Sequence, residues 1–304
     1  MKAIFFSTGG IHLATMLGML SELQNRTEDV NAVGGVSAGA LLAALCASYG
    51  IDKAITVMKS HYHDNFMKDR HKYLNTLLSV VFNNSIVDSS NLKNIVSNLL
   101  KNKKLVSDLY IGYTNRDSME YKCNKFEKGK CYPELYKHVV ASMSIPCVLE
   151  PTTIKDNKYI DAGMFHTIPV EAINTVVEQS IKEKEPLDLM VLSAKPWGYH
   201  LTSKLKENTS LFPMLKQLYH LVSGYECIAI HNDQLLLNKI LENAKLKGDH
   251  VNYSMFSINQ KQTENWTHKL PFEEYGHIKP EDVDALINLG KSIVLKCIKS
   301  DLKF

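Results

Sequence analysis

The chain has 304 residues, 45% of them hydrophobic and 22% charged, so it should bury an ordinary globular core as one large α/β domain or two smaller ones. Its formal net charge is +3 with 12 histidines counted neutral, and no stretch concentrates Lys and Arg, which excludes nucleic acid as the expected partner. The longest apolar run, Ala38 to Ala47, is about half of a membrane span, so any contact with a bilayer is expected to be peripheral.

The opening MKAIFFSTGG has too short an apolar core for a secretion signal and reads as a buried strand ending in a glycine turn. IHLATMLGMLSEL follows, with apolar residues at Ile11, Leu13, Met16, Leu17, Met19, Leu20 and Leu23, the spacing of a helix. NAVGGV is a second strand. AGALLAALCASYG is apolar on most sides and reads as a deeply buried helix capped by Gly50. Strand, helix, strand, helix in quick succession implies βαβ units and a mostly parallel sheet flanked by helices.

Helices are expected at 52–66 and 88–102, the second opening on several candidate N-caps in DSSNLKNIV. LYIGYTN and SMEYKCNK suggest a hairpin joined through Arg116 and Asp117. PELYKHVVASMSIP reads as a helix closed before Pro146, and KYIDAG as a short strand ending in a turn. A helix from about Pro169 to Lys182, a buried strand LDLMVLSA, a mostly helical stretch over 200–246, a late strand VNYSMFSI and a last helix PEDVDALINLGKSIVLKCI complete the pattern. Six cysteines at 46, 123, 131, 147, 227 and 297 include no CxxC pair, so no zinc site is expected. Without a secretion signal, free thiols and a cytoplasmic location, at most peripheral at membranes, are expected.

Three motifs carry chemistry. Gly35-Val36-Ser37-Ala38-Gly39 is a G-x-S-x-G at a strand-to-helix junction. A nucleophile elbow needs Gly35 and Gly39 there, because strand and helix must pass closely around an exposed serine, and the helix N-terminus favours nearby negative charge. The other reading is a plain turn with Ser37 as N-cap. STGGIHL, residues 7–13, also joins a strand to a helix, and the backbone of Gly9 and Gly10 can donate to a developing oxyanion. It matches neither a dinucleotide fingerprint nor a P-loop. In YIDAGMFHTIPV, Asp161 begins a turn containing Gly163, and either Asp161 or His166 can serve as the base a serine needs. His166 reads more simply as a core or surface residue. The histidines of HYHDNFMKDRH, 61–71, do not share one helix face, which suits a solvated helix end better than a metal site.

Taken in order, STGGIH, GVSAG and DAG resemble the patatin-like phospholipase family, as does ASMSIPCVLEPTTIKDNKYIDAG leading into the aspartate. The resemblance covers roughly residues 1–195, which makes that stretch the expected catalytic core and 196–304 a helical extension packed on the same domain. It implies a lipid acyl hydrolase that uses a Ser–Asp dyad without histidine, metal or cofactor, acting on a phospholipid or other acyl lipid. Ser37 matches the nucleophile, Asp161 the base, and Gly9 and Gly10 the loop that binds the oxyanion. Thr8 stands where the family has a first glycine, His12 where it has Arg or Lys, and Leu13 and Ala162 replace further glycines. Thr8 and His12 are therefore expected in the oxyanion hole without a permanent charge, and His12 could make it pH-sensitive near an ordinary imidazole pKa of about 6.5. The alternatives are a soluble carboxylesterase or thioesterase, and a lipid-binding protein with impaired turnover.

Overall fold

The computed structural model describes residues 1–61, 89–146, 148–195, 213–248, 250–258 and 280–301. Five strands lie parallel at the centre. In sheet order they are β3 (Asp108–Asn115), β2 (Ala32–Val36), β1 (Lys2–Phe6), β7 (Leu187–Ser193) and β8 (Val251–Ser257). Antiparallel strands extend the sheet beyond β3: β4 (Tyr121–Phe126), β6 (Asn157–Ile160) and β5 (Thr152–Ile154). The helices are α1 (Leu13–Glu22), α2 (Ala38–Tyr49), α3 (Ile51–His61), α4 (Ser90–Leu100), α5 (Leu135–Met143), α6 (Val170–Glu183), α7 (Pro213–Leu246) and α8 (Pro280–Asp301).

The period-2 alternation of each central strand splits the core in two. Ile4 and Phe6 of β1, Leu109 and Ile111 of β3, and Leu192 of β7 face α1, α2, α3, α4, α5 and α8. Ala3 and Phe5, Tyr110, and Leu189 and Val191 face α6 and α7. This is a three-layer α/β fold, and its element order follows the expected one closely. Gly50 ends α2 with φ of 77°, its N–H donating to Cys46 O at 2.9 Å, as its position after an apolar helix suggested. The expected hairpin turn is wider than Arg116-Asp117, because the Asn115 side chain accepts the N–H groups of Asp117 and Ser118 and delays β4 to Tyr121. The last third of the expected helix at 52–66, the 200–212 stretch, Cys147 and most of the 61–71 histidine cluster lie outside the described residues.

Helices α1 and α8 cross at very short range. A Cβ on Gly18 would lie 2.0 Å from the Ile287 carbonyl oxygen, and one on Gly290 would lie 2.0 Å from the Thr15 carbonyl oxygen. Only glycine at both positions permits this seat.

Strand order fixes where chemistry can occur. Phe6 pairs with Gly35 on one side and Leu192 on the other, so the loops after β1, β2 and β7 open together at the carboxyl edge of the sheet. Strand β6 runs back against the end of β3, Thr114 pairing with Ile160, while Val36 pairs with Gly112. Asp161 therefore re-enters the fold at the level where β2 gives way to Ser37.

Candidate active site

Ser37 occupies φ 57°, ψ −128°, a backbone region that a side chain rarely adopts. Its neighbours account for how the turn holds. A Cβ on Gly39 would lie 2.4 Å from the Ser7 carbonyl oxygen, and one on Gly35 would lie 2.3 Å from the carbonyl carbon of Gly39. Strand β1, strand β2 and helix α2 thus converge only because both positions lack side chains. The Ser37 N–H donates to Ser142 Oγ at 2.8 Å, and the Ser142 hydroxyl donates to Gly112 O at 2.6 Å. A fully buried serine on α5 therefore pins the elbow to β3. The Ser37 side chain makes no cap bond to α2, so the N-cap reading of this residue is set aside.

The Ser37 hydroxyl instead lies beside the Asp161 carboxylate, close enough to lower its pKa, and both residues are buried. Asp161 Oδ1 accepts the Gly163 N–H at 2.8 Å, and its own N–H donates to Ser144 O at 2.9 Å. Burial pushes the Asp161 pKa up from 3.8 to about 7. The Ser37 hydroxyl and the Gly163 N–H pull it down, the Glu226 charge raises it and Lys195 lowers it, all by less than burial raises it.

The glycine loop lies alongside. Gly10 has φ of 50°, and a Cβ on Gly9 would lie 2.7 Å from the Ala194 side chain, so the loop rests flat on the end of β7. Thr8 departs from an oxyanion donor's role: its N–H is taken by Thr167 O at 2.7 Å. Its methyl faces the aspartate turn, 3.0 Å from where a Gly163 Cβ would stand, and its hydroxyl donates to Glu226 Oε1 at 3.3 Å. Glu226 Oε2 in turn meets Lys195 Nζ at 3.1 Å.

His12 is buried, and its Nδ1 has no hydrogen-bond partner. Burial, helped by the Lys195 charge, lowers its pKa from 6.5 to about 4. The imidazole is therefore neutral throughout the neutral range, which corrects the expectation of a histidine titrating near its ordinary value; the desolvated group at this edge whose pKa lies near neutrality is Asp161. His166 does not join the serine: its Nδ1 pairs with Asp233 at 2.6 Å, and its ring packs 4.5 Å from that of Tyr121.

Four contributors gave no signal in the sequence. Glu226 and Asp233 sit on a helix with no motif, Lys195 is a single lysine after a strand, and Ser142 is one small residue in an apolar helix. Their one local hint is a polar residue at a position the helical or strand pattern buries. Among the described residues no cluster of His, Cys, Asp or Glu is arranged to hold a metal, and no helix is long and apolar enough to cross a membrane. The five described cysteines are free thiols.

A strained serine thus stands beside a buried carboxylate at the carboxyl edge of a three-layer α/β sheet. The chain is a member of the patatin-like phospholipase family, whose model matches residues 4–173, more than half of its length. Among solved structures it is similar to VipD from Legionella pneumophila, at 13% sequence identity and a TM-score of 0.42. That alignment covers 98% of this chain and 66% of VipD, just under two thirds of the longer protein. Comparison with the curated proteins gives no match.

Proposed function

We propose that this protein hydrolyses acyl esters of phospholipids through a Ser37–Asp161 dyad and an acyl-enzyme. The observation that carries the reading is a serine in a strained elbow set beside a buried carboxylate whose pKa lies near neutrality. Asp161 takes the Ser37 proton as Oγ attacks the ester carbonyl, then returns it to the departing alcohol. Water, deprotonated by the same carboxylate, releases the fatty acid. A carboxyl group with a pKa of about 7 is matched to that task, since it is substantially ionised and still basic enough to accept a proton.

The developing oxyanion is held by the N–H groups of Gly9 and Gly10 and by the positive end of α2. The Ser37 and Thr8 N–H groups are already committed, so they do not share this work. His12 is neutral, and positive charge comes from Lys195, which follows the alanine that closes on Gly9. Its field reaches both His12 and Asp161.

Contact with the lipid surface is assigned to α7. Tyr225, Ile228, Leu235 and Leu236 are exposed, and at about 100° per residue they share one arc of the helix, away from the face that buries Ala229, Ile230, Asp233 and Leu237. The test compares fatty-acid release from phosphatidylcholine vesicles with hydrolysis of a short-chain chromogenic ester. Ile228→Ser combined with Leu235→Ser is expected to lower vesicle hydrolysis at least about tenfold and to leave the short ester unchanged, because each removes a large apolar side chain from the contact. A wild type that cleaves only the short ester would make the protein a soluble esterase. One that cleaves neither, and resists a fluorophosphonate probe, would make it a lipid-binding protein.

His166→Ala is expected to keep ester hydrolysis within about threefold of wild type, against the roughly 10²–10⁴-fold loss that follows removal of a general base. A thousandfold loss would restore His166 as a candidate base.

A further inference from the structure

Asp233 has no part in the chemistry above, yet it is the most completely satisfied buried carboxylate around the site. It lies on α7, beyond the segment the family model matches, and is wholly buried. A buried carboxylate is stable only when hydrogen-bond donors meet it. Here four converge. Oδ2 accepts the Thr167 N–H at 2.5 Å, the Thr167 hydroxyl at 2.9 Å and the Ile168 N–H at 3.2 Å, while Oδ1 pairs with His166 Nδ1 at 2.6 Å.

The stretch it grips is tied to both halves of the candidate site. Thr167 O accepts the Thr8 N–H at 2.7 Å, which fixes the start of the glycine loop. The N–H groups of Phe165 and His166 donate to Ala162 O at 2.8 and 2.9 Å, which closes the turn that begins at Asp161. A side chain at Gly163 would press on the Thr8 methyl, its Cβ standing 3.0 Å away. One carboxylate on a distant helix therefore stands behind the loop that would hold the oxyanion and the turn that carries the base.

We propose that Asp233 is a positioning residue that keeps the glycine loop and the aspartate turn in register through residues 166–168, touching no substrate itself. The inference rests on the reading of those two loops as catalytic. Replacing Asp233 by an apolar residue strands three buried donors on Thr167 and Ile168, and the segment must shift to satisfy them. Displacement of about 1 Å in such a site costs about 10²-fold in rate.

The experiment uses the full chain with Asp233→Ala, Asp233→Asn and, as control, Leu237→Ala, which removes a buried side chain from the same helix. Two readouts are taken: amide hydrogen exchange at Thr8 and Thr167, and the rate at which a fluorophosphonate labels Ser37, alongside kcat and KM on a short-chain ester. Asp233→Ala is expected to speed exchange at both amides at least about tenfold and to slow labelling and kcat about 100-fold, with KM changed less than about threefold. Asp233→Asn, which keeps one acceptor oxygen, should fall between it and wild type in both readouts. Leu237→Ala should lower the melting temperature while leaving Thr8 exchange and labelling of the folded protein as they are.

The proposal is overturned if Asp233→Ala leaves Thr8 as protected as in wild type, or if Leu237→Ala has the same effects. Should the alanine variant fail to fold, wild-type exchange and labelling in Asp233→Asn overturn it instead. A wild type that never labels would count against the catalytic reading alone, since exchange at Thr8 still decides whether Asp233 holds the loop.

Discussion

Ser37→Ala is expected to give a folded protein that neither releases fatty acid nor takes up a fluorophosphonate. Removal of the attacking hydroxyl from a serine–base pair removes the nucleophile, so turnover should fall about 10⁴-fold or more. The fold should survive, because the main chain around position 37 is held by the Ser142 hydroxyl and by close packing at Gly35 and Gly39, none of which involves the Ser37 side chain. One further effect follows. The Ser37 hydroxyl is among the influences that lower the Asp161 pKa, so its loss should move that pKa further up. The measurements are intact-protein mass after probe treatment, ester hydrolysis and a melting curve. A Ser37→Ala protein that still gains the probe's mass would end the case for this serine.

Asp161→Asn should remove nearly as much, about 10³–10⁴-fold, and should also remove the pH dependence. In the wild type the base exists only when Asp161 is ionised. With its pKa raised to about 7, kcat/KM should climb with pH at unit slope below that value and level off above it. The asparagine variant should show a flat, low profile. The sign for stability runs the other way. The folded pKa lies above the ordinary 3.8, so between those values the folded state holds a proton that the unfolded state has lost. The contribution of this group is full below pH 3.8 and disappears as pH rises through about 7. Asp161→Asn is neutral at every pH and escapes that loss. Its melting temperature should exceed that of wild type at about pH 8, and the gap should close as pH falls. A wild-type rate profile flat between about pH 5 and 8 would show that Asp161 is not the base.

Legibility followed the range of the interactions. The first βαβα segment could be read because its strands are buried on both faces and its helices carry apolar residues at helical spacing, both local properties. The elbow was visible for a similar reason: Gly35 and Gly39 are required by contacts within one turn. Asp161 was found through the glycine two residues on, whose N–H it accepts. Glu226, Lys195 and Asp233 were not legible, because each acquires its partners only when α7 packs across the strand ends. His12 departs from its sequence expectation for a related reason. Its residue type gives an ordinary pKa, whereas burial, which depends on the whole fold, sets the actual one. Strand β6 is legible in KYIDAG, but its partner β5 is not, because three residues at the sheet's edge are too few to show alternation.

The reciprocal glycine seat between α1 and α8 bears on how such a protein can be inherited. The stretch bearing every recognisable motif ends well before α8, yet the helix that continues from the glycine loop is completed by Gly290. A segment recombined into another gene at the edge of those motifs would carry the reactive groups and leave behind the backbone surface on which Gly18 rests. The unit that must stay together for α1 to keep its seat is therefore set by where two main chains touch, and it is longer than the unit marked by the reactive side chains.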